Sequence, residues 1–467
     1  MPQVKLSKIF TLLLILLSIP VGVLLLDRKT YFFSRAYREV SGSKANLVIN
    51  LRQSYELSGK PWKNLSQGGE ETDGMLFAVS DKVSMLQPEY IRIDHVFDFY
   101  DVLSRNDDGE IVYNWTKLDS EIKAITDIGA KPFISLSYMP QVLSTGSEVD
   151  TASNWGEWRQ LVRMTIEHIS GKYGLGIKDV YYEVWNEPDL FGSYRLYGQK
   201  NYLIMYQNAS LGAQDAKNIL DFKIGGPATT GLYENWFRDF LMYGVRNNLR
   251  IDFYSWHRYS TKIEDFEKDH NNVREWIINY PTYSDIEFII TEAGHNSEND
   301  IGYDGEYSAI HTMAVNLGLF EKINKVFQFE IKDGPGPEKY WGRWGMLTHE
   351  SFGEPEEKPR FWAIDFLNNI NRGKFPVFGQ GTWVKALASG RVDHIKLIIV
   401  NYDPYYSHSE TVPITFINLP SEKFIYRRSD FLGGKKERTV NINDVSSWNT
   451  EEYFTPNTAA MIEIIAQ

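Results

Sequence analysis

The stretch "YYEVWNEPDL", residues 181–190, runs from an aromatic and apolar segment directly into Asn186, Glu187 and Pro188. A single Glu before a Pro is ordinarily a solvated loop residue, because charged groups and loops both sit in water. Here the carboxylate falls at the C-terminal end of an apolar, strand-like run, where burial makes it chemically useful. Glu183 shares Glu187's side of the strand but lies deeper, which makes it a structural partner.

Working outward from this run, the chain repeats one pattern. From about residue 45, apolar segments ("NLVINL", "YIRID", "KPFISLSYM", "VYYEVW", "FKIGGPA", "IDFYSW", "IEFIIT", "KVFQFEI") alternate with amphipathic ones. In "WTKLDSEIKAITDIG", Leu118, Ile122, Ile125 and Ile128 fall on one helical face. Eight strand–helix units over residues 45–372 predict an α/β fold, a (β/α)8 TIM barrel, with "NLVINL" as its first strand. The rival, an open doubly wound sheet for a dinucleotide, lacks a GxGxxG after the first strand. Beyond Arg372, strand-like runs follow one another without helices, separated by turns such as "NYDPYY" and "LGGKK". They predict a β-sandwich domain over residues 373–467.

The N-terminus has a different character. Ile9 to Leu26 is an uncharged apolar run of eighteen residues, near the lower length limit for a membrane-spanning helix. Residues 1–30 are therefore read as a membrane anchor or signal segment. "LLLDRKT" offers no small-residue cleavage site, which favours an uncleaved transmembrane helix. The Lys and Arg count places the C-terminal side in the cytoplasm, but large domains translocate regardless of charge. The expectation is a membrane-anchored protein with its catalytic domain outside the cytoplasm, or a secreted one if the segment is cleaved.

Composition removes several function classes. A net charge of −12 with no basic stripe argues against nucleic acid. The absence of Cys excludes disulfides, thiolate metal sites and a Cys nucleophile. Only nine His are present, none in a paired metal-binding spacing, so neither a metal nor another cofactor is expected. Aromatic side chains, 14% of the chain, suit sugar faces as well as cores.

In such a barrel the strand C-termini carry the active site. Glu187 ends the fourth strand, and Glu292, in "FIITEAGHN", ends the seventh. Two carboxylates at one barrel mouth are what glycoside hydrolysis requires, one to protonate the leaving oxygen and one to attack the anomeric carbon or activate water. The proton donor needs a raised pKa, which burial at an apolar strand end supplies. Asn186 is placed to direct its amide to the sugar's 2-hydroxyl, Pro188 to fix the backbone and Trp185 to wall the pocket.

"VWNEPDL", "FIITEAG", "KPFISLSYMP" and "DFYSWHRY" resemble glycoside hydrolase family 39 of clan A, with softer matches in "NLRQSYELSGKPW" and "YWGRWGMLT". The family includes β-xylosidases and α-L-iduronidases, retaining enzymes built on a barrel with an accessory β-sandwich. The resemblance covers roughly residues 45–467. It implies that Glu187 is the acid/base and Glu292 the nucleophile, with Asn186 holding the 2-hydroxyl. It also points to His257 and Tyr259, the tyrosine as a hydrogen-bond donor to the nucleophile. By their place after the eighth strand, Lys332, Asp333, Arg343 and Trp344 are expected to reach the substrate from long loops, and of these the resemblance supports Asp333. Members often carry Arg-x-His at the end of the second strand. Here Arg92 is kept, Asp94 stands where the His is expected, and His95 follows.

The function implied is a retaining glycoside hydrolase acting on a polysaccharide or oligosaccharide. The alternatives are a carbohydrate-binding pseudoenzyme and a membrane-anchored scaffold of a glycan-processing assembly. Both carboxylates being present favours the enzyme.

Overall fold

The computed structural model describes residues 42–467 apart from 73 and 371. The apolar run Ile9–Leu26, read as a transmembrane helix, lies outside the described residues. Among the described residues no helix is long and apolar enough to cross a membrane.

In chain order the elements are β1 (Leu47–Asn50), β2 (Asn64–Gln67), α1 (Ser80–Met85), β3 (Tyr90–Ile93), a hairpin of β4 (Leu103–Arg105) and β5 (Ile111–Tyr113), α2 (Thr116–Ile128), β6 (Lys131–Leu136), α3 (Trp155–Ile169), β7 (Val180–Val184), α4 (Tyr202–Asp215), β8 (Phe222–Thr229), α5 (Glu234–Arg246), β9 (Phe253–Tyr259), α6 (Ile263–Trp276), β10 (Glu287–Gly294), α7 (Glu306–Gly318), β11 (Lys325–Phe329) and α8 (Pro359–Leu367). The parallel strands β2, β3, β6, β7, β8, β9, β10 and β11 close on themselves as a barrel.

One strand differs from the sequence reading. β1 does not belong to the barrel: it pairs in parallel with β16 (Glu410–Ile417) and antiparallel with β13 (Val377–Phe378) in the C-terminal sheet domain. Its burial alternates, Leu47 and Ile49 inward and Val48 and Asn50 half-exposed, as suits a strand with one covered face. The true first barrel strand is β2, "NLSQ", which is short and polar and so carries no apolar run for a sequence reading to find.

The rest of the C-terminal domain consists of β12 (Lys374–Phe375), β14 (Val384–Arg391), β15 (His394–Asn401), β17 (Lys423–Asp430), β18 (Lys435–Asn441), β19 (Ser447–Phe454) and β20 (Thr458–Ala466). These form a sheet ordered β12-β14-β15-β20-β17-β18 and a second ordered β13-β1-β16-β19. A separate apolar core of Leu47, Ile49, Leu397, Ile399, Ile414, Phe416 and Ile462 joins the two. The domain docks on the barrel through Tyr402, whose hydroxyl lies 2.9 Å from that of Tyr307 and donates to Thr261 O at 2.7 Å.

Helices form where the sequence periodicity places them. In α2, Leu118, Ile122, Ile125 and Ile128 are buried on one face, and Gly129 at φ 93 closes the C-terminus by donating to Ile125 O and Thr126 O. Asn154 and Asn201 cap α3 and α4 through their side-chain oxygens.

The barrel interior is layered by the two-residue repeat of its strands. Tyr90, Phe133, Tyr181, Phe253, Ile289 and Phe327 form an apolar layer at the bottom. Two residues further along their strands, Arg92, Ser135, Glu183 and Ser255 form a wholly buried polar layer. The opposite faces, including Ile91, Ile134, Tyr182, Tyr254 and Ile290, pack under the helices in the main core. The site rests on the polar layer.

Candidate active site

Two local irregularities turn the carboxylates inward. In β10 the register slips between Ile290 and Glu292, so Ile290 sits opposite Trp256 and Glu292 opposite His257. Ile289 faces the barrel interior and Ile290 the helices. Without the extra residue, strict alternation would aim Glu292 at the helices; the bulge re-aims it into the barrel. At the end of β7, Trp185 (φ 74) and Glu187 (φ 45) both adopt left-handed backbone, which is uncommon for bulky side chains. Ser135 Oγ donates to Trp185 O at 2.9 Å, and Glu187 N donates to Ala228 O at 3.0 Å, holding the turn. The Trp185 ring is consequently buried against Trp158 in the helix-facing core and does not wall the pocket.

Arg92 organises what lies beneath. Fully buried, it donates from Nε to Glu183 Oε2 (2.8 Å), from Nη1 to Glu292 Oε1 (3.0 Å) and from Nη2 to Asn186 Oδ1 (2.7 Å). A buried guanidinium is tolerable only when so matched. Because Arg92 has only donors, it fixes the Asn186 amide with its oxygen downward. Asn186 Nδ2 donates to Tyr138 Oη at 2.9 Å, leaving its second N–H for the cavity.

Above this layer, Tyr259 donates to Glu292 Oε2 at 2.8 Å. His257 Nδ1 lies 2.8 Å from Glu187 Oε1 and 3.4 Å from Glu292 Oε2, and the ring is wholly buried. Facing oxygens of Glu187 and Glu292 lie within 4.8 Å of one another. Burial pushes the Glu292 carboxyl up to about 7; His257 and Arg92 pull it down, while Glu187 and Asp94 push it further up. For His257, burial works against the charged ring, but the Glu292 and Glu187 carboxylates outweigh it and raise its pKa.

These residues open to a cavity of about 460 Å³ at the C-terminal mouth of the barrel, where Glu187, Glu292, Asn186, Tyr259, Asp94, His95, Tyr138 and Trp344 line the wall. Asp94 has a buried Oδ1 with no hydrogen-bond partner. Arg92 and His257 lie just beneath the cavity surface. Trp344 is overlaid by the Arg343 guanidinium 3.6 Å from its ring centroid, and Arg343 is bonded in turn to Glu70.

Asp333 is placed elsewhere. It is fully buried, 2.6 Å from Lys358 Nζ, and accepts from Gly345 N at 2.8 Å. Lys358 also reaches Asp304 (2.7 Å) and Arg343 O (3.1 Å). Asp333 thus braces the loop carrying Trp344 from behind and has no face toward the cavity, contrary to the substrate contact expected of it. Lys332 likewise points away, pairing with Glu350 at 2.8 Å and Glu71 at 3.5 Å.

Two triads among the described residues bring ligand-type atoms within 4.8 Å, Glu187–His257–Glu292 and Glu71–His349–Glu350. In each a protein cation, Arg92 or Lys332, already neutralises carboxylate charge. Tyr138, the partner of Asn186, was missed as a site residue; its only signal was its place just beyond a strand C-terminus. The rim residues Glu70 and Thr230 come from loops with no motif of their own, while Leu190 and Phe191 lie at the end of the "VWNEPDL" run and just past it.

The sequence pattern of Glycosyl hydrolases family 39 matches residues 71–279. A β-xylosidase of Caldicellulosiruptor saccharolyticus is 31% identical over 401 residues, 78% of this chain and 80% of that protein. A β-xylosidase of Geobacillus stearothermophilus is 28% identical over 309 residues, 56% of this chain and 58% of that protein. Among solved structures, a monomeric β-xylosidase from Caulobacter crescentus CB15 superposes with a TM-score of 0.74 at 19% identity, covering 90% of this chain and 99% of that one. The family 39 enzyme from Xanthomonas axonopodis pv. citri gives 0.73 at 18% identity, covering 91% and 98%. The chain therefore belongs to Glycosyl hydrolases family 39 and is a glycosidase.

Proposed function

We propose that this glycosidase cleaves β-xylosides with retention, by two displacements at one anomeric carbon. The observation that carries the reading is the approach of Glu187 and Glu292 oxygens to within 4.8 Å. Retaining pairs stand about 5 to 5.5 Å apart, whereas inverting pairs need about 6.5 to 9.5 Å to admit a water. The choice of sugar is supported by the β-xylosidase relatives.

In the first displacement Glu292 attacks the anomeric carbon while Glu187 gives its proton to the leaving oxygen. In the second, Glu187 takes a proton from water, the water oxygen bonds to the anomeric carbon, and Glu292 departs as a carboxylate. Arg92 and Tyr259 hold opposite oxygens of Glu292 and keep it aimed. The free N–H of Asn186 meets the 2-hydroxyl, and the unpartnered Asp94 Oδ1 accepts from a hydroxyl of the same ring. Proton NMR of the first-formed xylose from an aryl β-xyloside tests this. The β-anomer is expected; the α-anomer overturns the reading.

The run Ile9–Leu26 supports a further part of the proposal, that the enzyme is held at a membrane with its barrel outside the cytoplasm. Deleting residues 1–28 should release active enzyme from the membrane fraction. Unchanged fractionation overturns it.

A further inference from the structure

Asp94, His95, Glu70, Ser297 and Glu298 make part of the cavity wall polar, and Phe329 and Trp344, the latter under Arg343, make another part aromatic. Beside Glu187 the wall is instead formed by Leu190 and Phe191, 57% and 41% exposed. Scattered exposed apolar side chains need no explanation. These two adjoin the reacting bond and are held rigidly.

Their backbone is tied to the acid itself. Leu190 N and Phe191 N both donate to Glu187 O, at 3.0 and 2.7 Å. Trp185 Nε1 donates to Phe191 O at 3.2 Å, and the Phe191 ring meets Tyr138 edge-on with centroids 5.7 Å apart. Gly192, at φ 94, passes so close to the preceding loop that a Cβ there would lie 2.3 Å from Val149 O. On the other side Asp189 accepts from Thr230 N at 3.0 Å and from the Thr230 hydroxyl, which lies 2.8 Å from Tyr233 Oη. Tyr233, 39% exposed, thus stands behind Thr230, which lines the cavity.

We propose that Leu190 and Phe191 form the binding surface for the leaving-group sugar. The inference rests on Glu187 being the proton donor. A group that protonates the glycosidic oxygen must have the departing ring on its own side, and the loop on that side is this one. The C–H face of a pyranose is apolar, so it gains by covering Leu190 and Phe191. A surface already fixed by hydrogen bonds loses little entropy in receiving it. The polar side chains Asp94, His95 and Glu70 are left for the hydroxyls of the ring that is transferred.

The test compares kcat/KM for xylobiose with that for methyl β-xyloside, which carries the same transferred ring and an alkyl leaving group too small to cover the platform. Phe191→Ala should lower the xylobiose to methyl xyloside ratio about tenfold, and Phe191→Tyr, which keeps a ring, should restore it. An unchanged ratio in Phe191→Ala overturns the inference, even if both rates fall together. A ratio that falls for phenyl β-xyloside but not for xylobiose also overturns it, assigning the surface to aromatic leaving groups. If the wild-type enzyme hydrolyses none of the three, the xyloside reading itself fails and the platform with it.

Discussion

Arg92 Nη1 donates to Glu292 Oε1 at 3.0 Å while Arg92 Nε donates to Glu183 Oε2 at 2.8 Å, so one buried guanidinium joins a carboxylate at the reacting level to one in the layer below. Replacing it strands both. Arg92→Met should destabilise the fold by about 3 to 5 kcal/mol, because the loss leaves buried charge uncompensated. Adding Glu183→Gln should recover part of that loss. Denaturant unfolding of the single and double variants checks both outcomes; a double variant no more stable than the single contradicts the pairing.

The pH dependence of the proposed nucleophile has a definite sign. Glu292 attacks only when ionised, and burial has pushed its carboxyl up to about 7, so kcat/KM should fall on the acid side with a midpoint near there. Tyr259 donates to Glu292 Oε2 and thereby favours the ionised form. Tyr259→Phe should move the acid limb upward by about one pH unit. A limb that stays in place contradicts that role.

Folding stability follows the same group. The folded protein holds the Glu292 proton more tightly than the unfolded chain, whose carboxyl has the ordinary value of 4.5. Its contribution is full below that value and is lost as the pH rises toward about 7. Glu292→Gln should therefore flatten the fall of stability with pH across this window, measured by urea unfolding at a series of pH values. An equally steep fall in the variant contradicts the raised pKa.

Lys358 supports the loop bearing Trp344. It is buried between Asp304 and Asp333, at 2.7 and 2.6 Å. Lys358→Met should cost about 3 to 5 kcal/mol of stability by leaving two buried acids without their cation. Thermal unfolding measures it, and a loss under about 1 kcal/mol would contradict the bracing role, since that is the scale of exposed pairs.

What the sequence made legible follows from where its pattern is physical. Glu187 and Glu292 could be placed because buried strands are apolar runs and a carboxylate at their ends stands out. β2 could not, because Ser66, wholly buried and paired with Arg92 across β2 and β3, adds to the polar layer, and a short strand with a polar inner face resembles a loop. β1 misled for the opposite reason: "LVIN" is apolar enough for the barrel, but its alternating burial belongs to the two-sheet domain. The bulge before Glu292 and the left-handed turn at Trp185 were invisible too, since both depend on pairing with neighbouring strands. Asp333 was drawn into the expected site by its place after the last strand, yet nothing local revealed Lys358, 25 residues on, waiting behind it.

The central claim is that the sugar passes through a covalent bond to Glu292. Glu187→Gln treated with dinitrophenyl β-xyloside, whose leaving group needs no proton, should accumulate the intermediate, because water then lacks its base. Mass spectrometry of the digested protein should find one pentosyl group on Glu292, and azide should discharge it. A sugar found on another residue, or no covalent adduct while substrate turns over, contradicts the account.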